Sequence, residues 1–179
     1  DFKQVQASVF QVTRAPGQTT YEWTRRGLKA RDVENNVPGW YFARGTVKFT
    51  DYRSWREVAE WALPLFDLPD AERERLRKVS GEITSAPDRA SAILKTIRFV
   101  QNEIRYLALE EGMSAYLPHP PSQVLAQRYG DCKDKALLLA ALLGESGVEA
   151  HPMLVNTSAP RAADDFVMCP GDFDHCVVS

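Results

Sequence analysis

The chain has 179 residues, of which 44% are hydrophobic and 26% charged, and its formal net charge is -2. This balance is typical of a folded globular protein, and the evenly mixed charges argue against a nucleic-acid binder or a polybasic membrane patch. No apolar run approaches the roughly 20 residues that a membrane-spanning helix needs, so we predict no membrane span. Because Asp1 begins the chain, we expect part of a longer or processed protein and infer nothing from missing targeting signals.

The first fifty residues predict short strands joined by turns. Apolar and polar residues alternate from Val5 to Val12, and β-favouring residues return from Thr19 to Thr24 after the turn at Pro16. A further aromatic and β-branched stretch follows from Trp40 to Phe49. Because a few short strands cannot bury a stable core alone, we interpret residues 1–50 as the C-terminal part of a β-rich domain.

Three helical patterns follow. Ser54 is placed to cap a first helix whose apolar residues recur at a spacing of three and four. A charged helix with a largely solvated surface is predicted from Asp70 to about Ser80. A third helix is predicted from about Pro87 to Glu103, with Ser85 as its start signal and a continuous apolar stripe along one side.

The last part of the chain mixes helices with returning strands. The pattern predicts a short helix at 122–128, a buried helix at 132–146, and strands at 148–157 and 174–179. We therefore predict an α+β domain over residues 51–179, cut off at its C-terminal end.

Cys132 lies at the first position of the predicted buried helix, with Asp131 as its cap. The unpaired N–H groups of a first turn and the positive end of the helix dipole favour a thiolate, lowering the pKa from about 8.5 by one or more units. Lys133 and Lys135 add positive charge, which Asp131 and Asp134 oppose. The same amides are suited to hold an oxyanion formed when the sulfur attacks a carbonyl.

A cysteine nucleophile needs a base, and three histidines are candidates. His119 lies in a proline-rich loop and is expected at the surface, unless that loop folds over the site. His151 is expected at a strand end. His175 lies on the final strand, which a loop can return to the start of the cysteine helix. This order favours His175.

These motifs resemble those of the transglutaminase-like superfamily. The resemblance is carried by the run from Arg128 to Ala136, by Gly147-Val148 and by Asp174-His175. It covers about residues 51–179. More narrowly, the chain is similar to bacterial proteins that place a β-rich domain before the transglutaminase-like one.

The resemblance implies a papain-like α+β core in which the nucleophile helix packs on an antiparallel sheet. It implies Cys132 as nucleophile and His175 as general base, with an acid expected beyond Ser179. Asp174 is not expected to replace that acid, because neighbouring strand residues point to opposite faces. Without the acid, the fragment is expected to lose activity.

By the same resemblance, the chain is a thiol enzyme that acts on amide or peptide bonds through an acyl-cysteine intermediate. Hydrolysis is favoured over transfer, the substrate is a protein or peptide, and no cofactor or metal is expected. A periplasmic or exported location follows from the resemblance alone. The sequence predicts no oligomeric state.

Other interpretations remain open. Cys132 can be a small buried hydrophobe, and His175 a hydrogen-bonded strand residue. A zinc site built on Cys132, Cys169, His175 and Cys176 lacks paired Cys-x-x-Cys spacing, so we reject it. Cys169 and Cys176 are expected to have no role, with a strained local disulfide as the alternative. A non-catalytic peptide-binding or assembly module is the main alternative to an enzyme. The tryptophans are expected to pack in the core or at the domain junction, and Trp55 and Trp61 are examples.

Overall fold

The computed structural model describes residues 11–24, 26–27, 35–37, 48–108, 112–158 and 167–179. Expectations for Val5 to Phe10, for most of the stretch from Trp40 to Phe49, and for much of the loop before residue 167 lie outside these residues. In the described residues, none of the helices has the length and apolar character needed to cross a membrane.

The N-terminal part contains a hairpin. Strand β1 (Gln11–Ala15) pairs antiparallel with β2 (Gln18–Glu22) across a turn at Gly17, whose φ is 75°. Tyr21 and Trp23 pack their rings near Phe49, at centroid distances of 6.2 and 6.3 Å. The predicted second strand is therefore present, with slightly different ends.

Five α-helices follow in the described residues. They are α1 (Trp55–Ala62), α2 (Asp70–Thr84), α3 (Arg89–Glu103), α4 (Pro121–Gln127) and α5 (Cys132–Glu145). Short 3-10 turns lie at Leu63–Phe66, Gly112–Ala115 and Pro170–Asp172. Ser54 caps α1 as predicted, because its side chain accepts the N–H of Glu57 at 3.2 Å.

The predicted start of α3 is wrong. Asp88, not Ser85, is its cap, and Asp88 Oδ1 accepts the N–H of Ser91 at 2.9 Å. Ser85 instead closes α2, donating its N–H to Gly81 at 3.1 Å. Helix α2 runs to Thr84, beyond the predicted end near Ser80, and Lys95 donates to the carbonyls of Glu82 and Ser85 at this end.

The remaining strands are short. Strand β3 (Arg105–Tyr106) pairs in parallel with β4 (Tyr129–Gly130), and β5 (Pro152–Val155) pairs antiparallel with β6 (His175–Val178). The predicted strand at 148–157 is shorter because Val148 still closes α5, donating its N–H to Leu143 at 3.0 Å.

Helix α5 is the centre of the fold. It packs against α2, α3 and α4 on one side and against the β5–β6 ribbon on another. Its buried Leu138 and Leu142 join one core cluster with four residues of the surrounding elements, which are Leu76, Val100, Ile104 and Val124. Short sheets around a buried helix confirm the predicted α+β class and the packing of this helix on an antiparallel pair of strands.

Contacts also join the segment before α1 to the chain before β6. Lys48 forms an ion pair with Asp172, and Thr50 Oγ1 donates to the Met168 carbonyl at 2.5 Å. Trp55 packs edge-on against Phe173 with ring centroids 5.7 Å apart. The contacts of Lys48 and Thr50 cross residue 51, where we predicted a domain boundary, and the boundary itself stays a prediction.

Candidate active site

Cys132 is the first residue of α5 and is half-buried. Asp131 caps the helix as predicted: its Oδ1 accepts the N–H groups of Lys133 and Asp134 at 3.0 and 3.1 Å. Asp134 completes a capping box, since its Oδ2 accepts the N–H of Asp131 at 3.1 Å. The thiol therefore stands at a rigid helix start.

The capping box corrects one expectation. We expected the first-turn amides to be open to an oxyanion, but the amides of Lys133 and Asp134 are both held by Asp131. They are not available as oxyanion donors while the cap is intact. The dipole of the helix still favours negative charge at Cys132.

Gly130 is required by this cap. A Cβ at this position would lie 2.7 Å from Asp134 Cβ and 2.9 Å from its Oδ2. Contacts this short do not occur between real side chains, so a larger residue would displace Asp134 from the helix start. The glycine that the sequence places before Asp131 therefore allows close packing in addition to a tight turn.

The charges of the first turn are distributed unequally. Lys133 and Asp131 form a buried ion pair in which each side chain is only 5% exposed. Lys135 instead donates to the backbone carbonyl of Ile104 at 2.5 Å, and burial lowers its pKa. Thus the charge of Lys133 is neutralised by a carboxylate, whereas Lys135 is bound to a neutral carbonyl.

His119 lies against the start of α5. Its backbone N–H donates to Asp134 Oδ1 at 2.7 Å, and its ring Nδ1 lies 3.2 Å from Asp134 Oδ2. The side chain lies at the surface as expected, and the loop also folds against the start of α5, which is the alternative that the sequence left open. The ring remains partly open to solvent, with 42% of the side chain exposed.

His175 is the first residue of β6, half-buried and opposite Val155 in the ribbon. The next residue, Cys176, is buried, and its thiol pKa is raised to about 12 by burial and, secondarily, by the neighbouring Cys132. Asp131 and Lys133 also act on this thiol, which places it close to the first turn of α5. Strand β6 thus packs against α5, while a Cys132–His175 hydrogen bond stays a prediction.

The other candidates are engaged elsewhere. His151 is exposed beside β5, with its Nε2 3.3 Å from Glu149, so it lies at a strand end as expected. The carboxylate of Asp174 accepts the Thr157 N–H at 2.7 Å and two hydroxyls at 3.0 Å, and these hydrogen bonds lower its pKa. Asp174 therefore fastens the turn after β5.

Metal ligation finds no support in the described part of the chain, where no three His, Cys, Asp or Glu side chains are grouped as ligands. Cys132, Cys169 and Cys176 are not joined in disulfides. Trp61 packs edge-on against Tyr116 at a centroid distance of 5.2 Å, a packing role like that of Trp55.

A family model of the transglutaminase-like superfamily matches residues 77–178, more than half of the chain. The chain belongs to the transglutaminase-like superfamily. The matched region contains α5 with Cys132 and β6 with His175. Among curated proteins, the comparison finds no relative.

A solved structure supports the superfamily fold. The crystal structure of a provisionally assigned protease from Parabacteroides distasonis ATCC 8503 aligns with a TM-score of 0.70 and 16% sequence identity. The alignment covers 96% of this chain and 34% of that protein. At this identity the likeness shows the transglutaminase-like fold, and the present chain spans about a third of the other protein's length.

Three contacts of this transglutaminase-like site were not predicted from the sequence. The partnership of Asp131 with Asp134 had a visible signal, because an acid three residues after the cap residue is the spacing of a capping box. The binding of His119 to Asp134 and of Lys135 to Ile104 had no local signal, since each joins segments far apart in sequence.

Proposed function

We propose that this chain carries the nucleophile, Cys132, of a thiol enzyme that acts on amide or peptide bonds. Hydrolysis is favoured over transfer. The observation that carries the proposal is the half-buried Cys132 at a capped helix start, in the matched family region. Membership of the superfamily and the packing of β6 on α5 support His175 as its base.

The proposed reaction proceeds through an acyl-cysteine. The Cys132 sulfur attacks the amide carbonyl carbon as His175 holds the thiol proton, and the leaving amine then takes that proton as the C–N bond breaks. Water then attacks the thioester, giving a carboxylic acid and the free thiol. An amine in place of water would give transfer.

Hydrolysis is favoured by analogy. The P. distasonis protein of similar fold is provisionally assigned as a protease, and this chain matches about a third of it. A protein or peptide is accordingly the proposed substrate class. We also propose that the chain belongs with proteins carrying a β-rich domain ahead of this one, which the hairpin β1–β2 supports.

One observation favours a different function. The amides of Lys133 and Asp134 are held by Asp131, so they contribute nothing to an oxyanion site. A non-catalytic peptide-binding module that keeps the fold would tolerate this arrangement. Thiol reactivity separates the two candidates, because only an enzyme needs an activated Cys132.

The test is alkylation of the full chain by iodoacetamide at a series of pH values, followed on the Cys132 peptide by mass spectrometry. If the chain is an enzyme, the pH midpoint of Cys132 alkylation is expected to lie at least one unit below the value of about 8.5 for an ordinary thiol. A midpoint at or above that value supports the binding module. Cys132→Ala provides the blank for the assignment of the modified peptide.

Turnover is then measured on a casein substrate, with and without a fluorescent primary amine. New peptide ends without amine incorporation support hydrolysis, whereas incorporation of the amine into casein contradicts the preference for hydrolysis. Either activity must disappear in Cys132→Ala. Activity that survives this substitution would contradict Cys132 as the nucleophile.

A further inference from the structure

The ammonium group of Lys135 is fixed at the junction of α3 and α5. Its Nζ donates to the carbonyl of Ile104 at 2.5 Å, and Ile104 is the fully buried residue that ends α3. The last carbonyls of a helix have no partner within the helix and carry partial negative charge. Lys135 therefore caps the C-terminus of α3.

The same junction is tied to the nucleophile. Immediately after Ile104, Arg105 donates its N–H to Arg128 at 2.8 Å, and Leu107 donates to Gly130 at 3.0 Å. Gly130 is followed by Asp131 and Cys132, so these hydrogen bonds fix the end of α3 beside the start of α5. Lys135 is three residues after Cys132, a spacing that places two helical side chains about 5–6 Å apart at Cβ.

The charge of Lys135 is not cancelled locally. Lys133 is paired with Asp131, and the carboxylate of Asp134 is bound by His119 and the Asp131 amide. Across the described residues Lys135 makes no ion pair, and its acceptor is a neutral carbonyl. It is therefore the cation of the first turn whose field remains to act on the nearby sulfur.

Other ionisable groups surround this end of α5. Strand β5 and helix α4 contribute none, and Glu72 of α2 is held by Ser122 and Arg75. The other elements contribute groups that include Glu103, Arg105, Tyr106, Tyr129, His175 and Cys176, and the loop before α4 contributes His119. A comparison of variants at one position leaves all of them unchanged, so it isolates the contribution of Lys135.

We propose that Lys135 is a positioning residue that clamps the end of α3 to the start of α5 and supplies the fixed positive charge that stabilises the Cys132 thiolate. This inference rests on the proposed function, since it assigns a role in activating the proposed nucleophile. It adds a requirement of its own: removing the charge must weaken the thiolate even when the hydrogen bond to Ile104 is kept.

Three variants of the full chain test the proposal. Lys135→Gln keeps a neutral donor, Lys135→Arg keeps the charge, and Lys95→Gln is the matched control. Lys95 also caps a helix by binding carbonyls, at 2.8 and 2.9 Å, but it lies roughly 13 Å along α3 from Ile104. Alkylation of the Cys132 peptide is measured against pH, and thermal unfolding is recorded for each variant.

The expected result is a reactivity midpoint raised by about half to one pH unit in Lys135→Gln, the scale of one charge acting through partly solvated protein. At neutral pH this corresponds to alkylation about three to ten times slower. Lys135→Arg and Lys95→Gln are expected to keep the wild-type midpoint. If Lys135→Gln does not fold, slower alkylation in the folded Lys135→Arg variant would itself overturn the charge role.

Two outcomes overturn the proposal. One is a folded Lys135→Gln variant with an unchanged midpoint, and the other is an equal shift in Lys95→Gln. Both are distinct from failure of the proposed function, which would appear as an ordinary thiol midpoint in the wild-type chain. A lowered wild-type midpoint with no response to Lys135→Gln keeps the enzyme and removes only the role of Lys135.

Discussion

The carboxylate of Asp134 is bound twice by His119, through the backbone N–H at 2.7 Å and through ring Nδ1 at 3.2 Å. The same carboxylate accepts the N–H of Asp131 and so completes the capping box of α5. A residue two positions beyond Cys132 thus joins the proline-rich loop to the start of α5. The geometry of the candidate site therefore depends on a side chain that need not touch substrate.

Asp134→Ala is expected to destabilise the chain by about 2–3 kcal/mol, because it removes one side of the capping box and leaves the N–H groups of Asp131 and His119 without their acceptor. The measurement is urea unfolding at neutral pH. The comparison is Asp88→Ala, which removes the more exposed cap of α3 and should cost less. Equal costs for the two substitutions would show that His119 and the loop contribute nothing to this helix start.

Gly130→Ala is expected to cost about 2 kcal/mol, because its Cβ would lie 2.7 Å from the Cβ of Asp134. Gly81→Ala is the matched control: it has open space around it inside α2. That change should stabilise the chain by about 0.5–1 kcal/mol through helix propensity. Thermal unfolding of both variants decides the point, and a neutral Gly130→Ala would contradict the close packing.

The raised pKa of the Cys176 thiol predicts a loss of stability at high pH. Its pKa is about 12 in the folded chain against an ordinary value of 9.0, so the unfolded state releases the proton first as pH rises. The contribution of this thiol is fully present below pH 9 and is lost between about 9 and 12. Cys176→Ala should therefore unfold with a flatter dependence on pH across this window.

The measurement for Cys176 is the free energy of unfolding at several pH values between 8 and 11, compared as slopes. Val178→Ala, a non-ionisable change on the same strand, should keep the wild-type slope. If Cys176→Ala also keeps that slope, the thiol does not titrate differently in the two states.

The lowered pKa of Glu72 predicts a loss of stability at acid pH instead. Burial alone would raise the pKa of Glu72, but hydrogen bonds from Ser122 and the neighbouring Arg75 hold it below its usual value. The stability it contributes is present above the ordinary value of 4.5 and is lost as pH falls. Glu72→Gln is therefore expected to cost about 1–2 kcal/mol at pH 7 and less at pH 4.

Urea unfolding of Glu72→Gln at these two pH values is the check. Gln keeps an acceptor for the Ser122 N–H, which Glu72 Oε1 binds at 2.6 Å, so the substitution changes charge more than shape. Glu74→Gln, on the exposed side of the same helix, should change stability little at either pH. A cost for Glu72→Gln that is the same at both pH values would contradict the linkage.

Local signals in the sequence predicted α5 and its cap well. Asp131 before Cys132 and Ser54 before Trp55 are caps whose partners lie within four residues, so sequence spacing is enough to find them. At α3 the sequence indicated Ser85 as the start signal, whereas Asp88 caps the helix. The structure decides for Asp88 because α2 runs on to Thr84 and takes up Ser85.

The contacts that complete the site could not be predicted in this way. His119 and Asp134 are 15 positions apart, and Lys135 and Ile104 are 31 apart, with no periodic pattern linking them. The ladder of β3 with β4 is only two residues long on each side, too short to leave an alternation in the sequence. Such contacts follow from how the elements pack, which local propensity does not encode.

The ion pair of Lys48 with Asp172 has a practical consequence for anyone who subclones this region. A domain excised at residue 51 would lose that pair and the hydrogen bond from Thr50 to Met168. Asp172, whose Oδ2 has no hydrogen-bond partner among the described residues, would then lose its nearby cation. The segment before β6 and His175 would then be held by fewer contacts. Expression boundaries are therefore better placed upstream of Lys48.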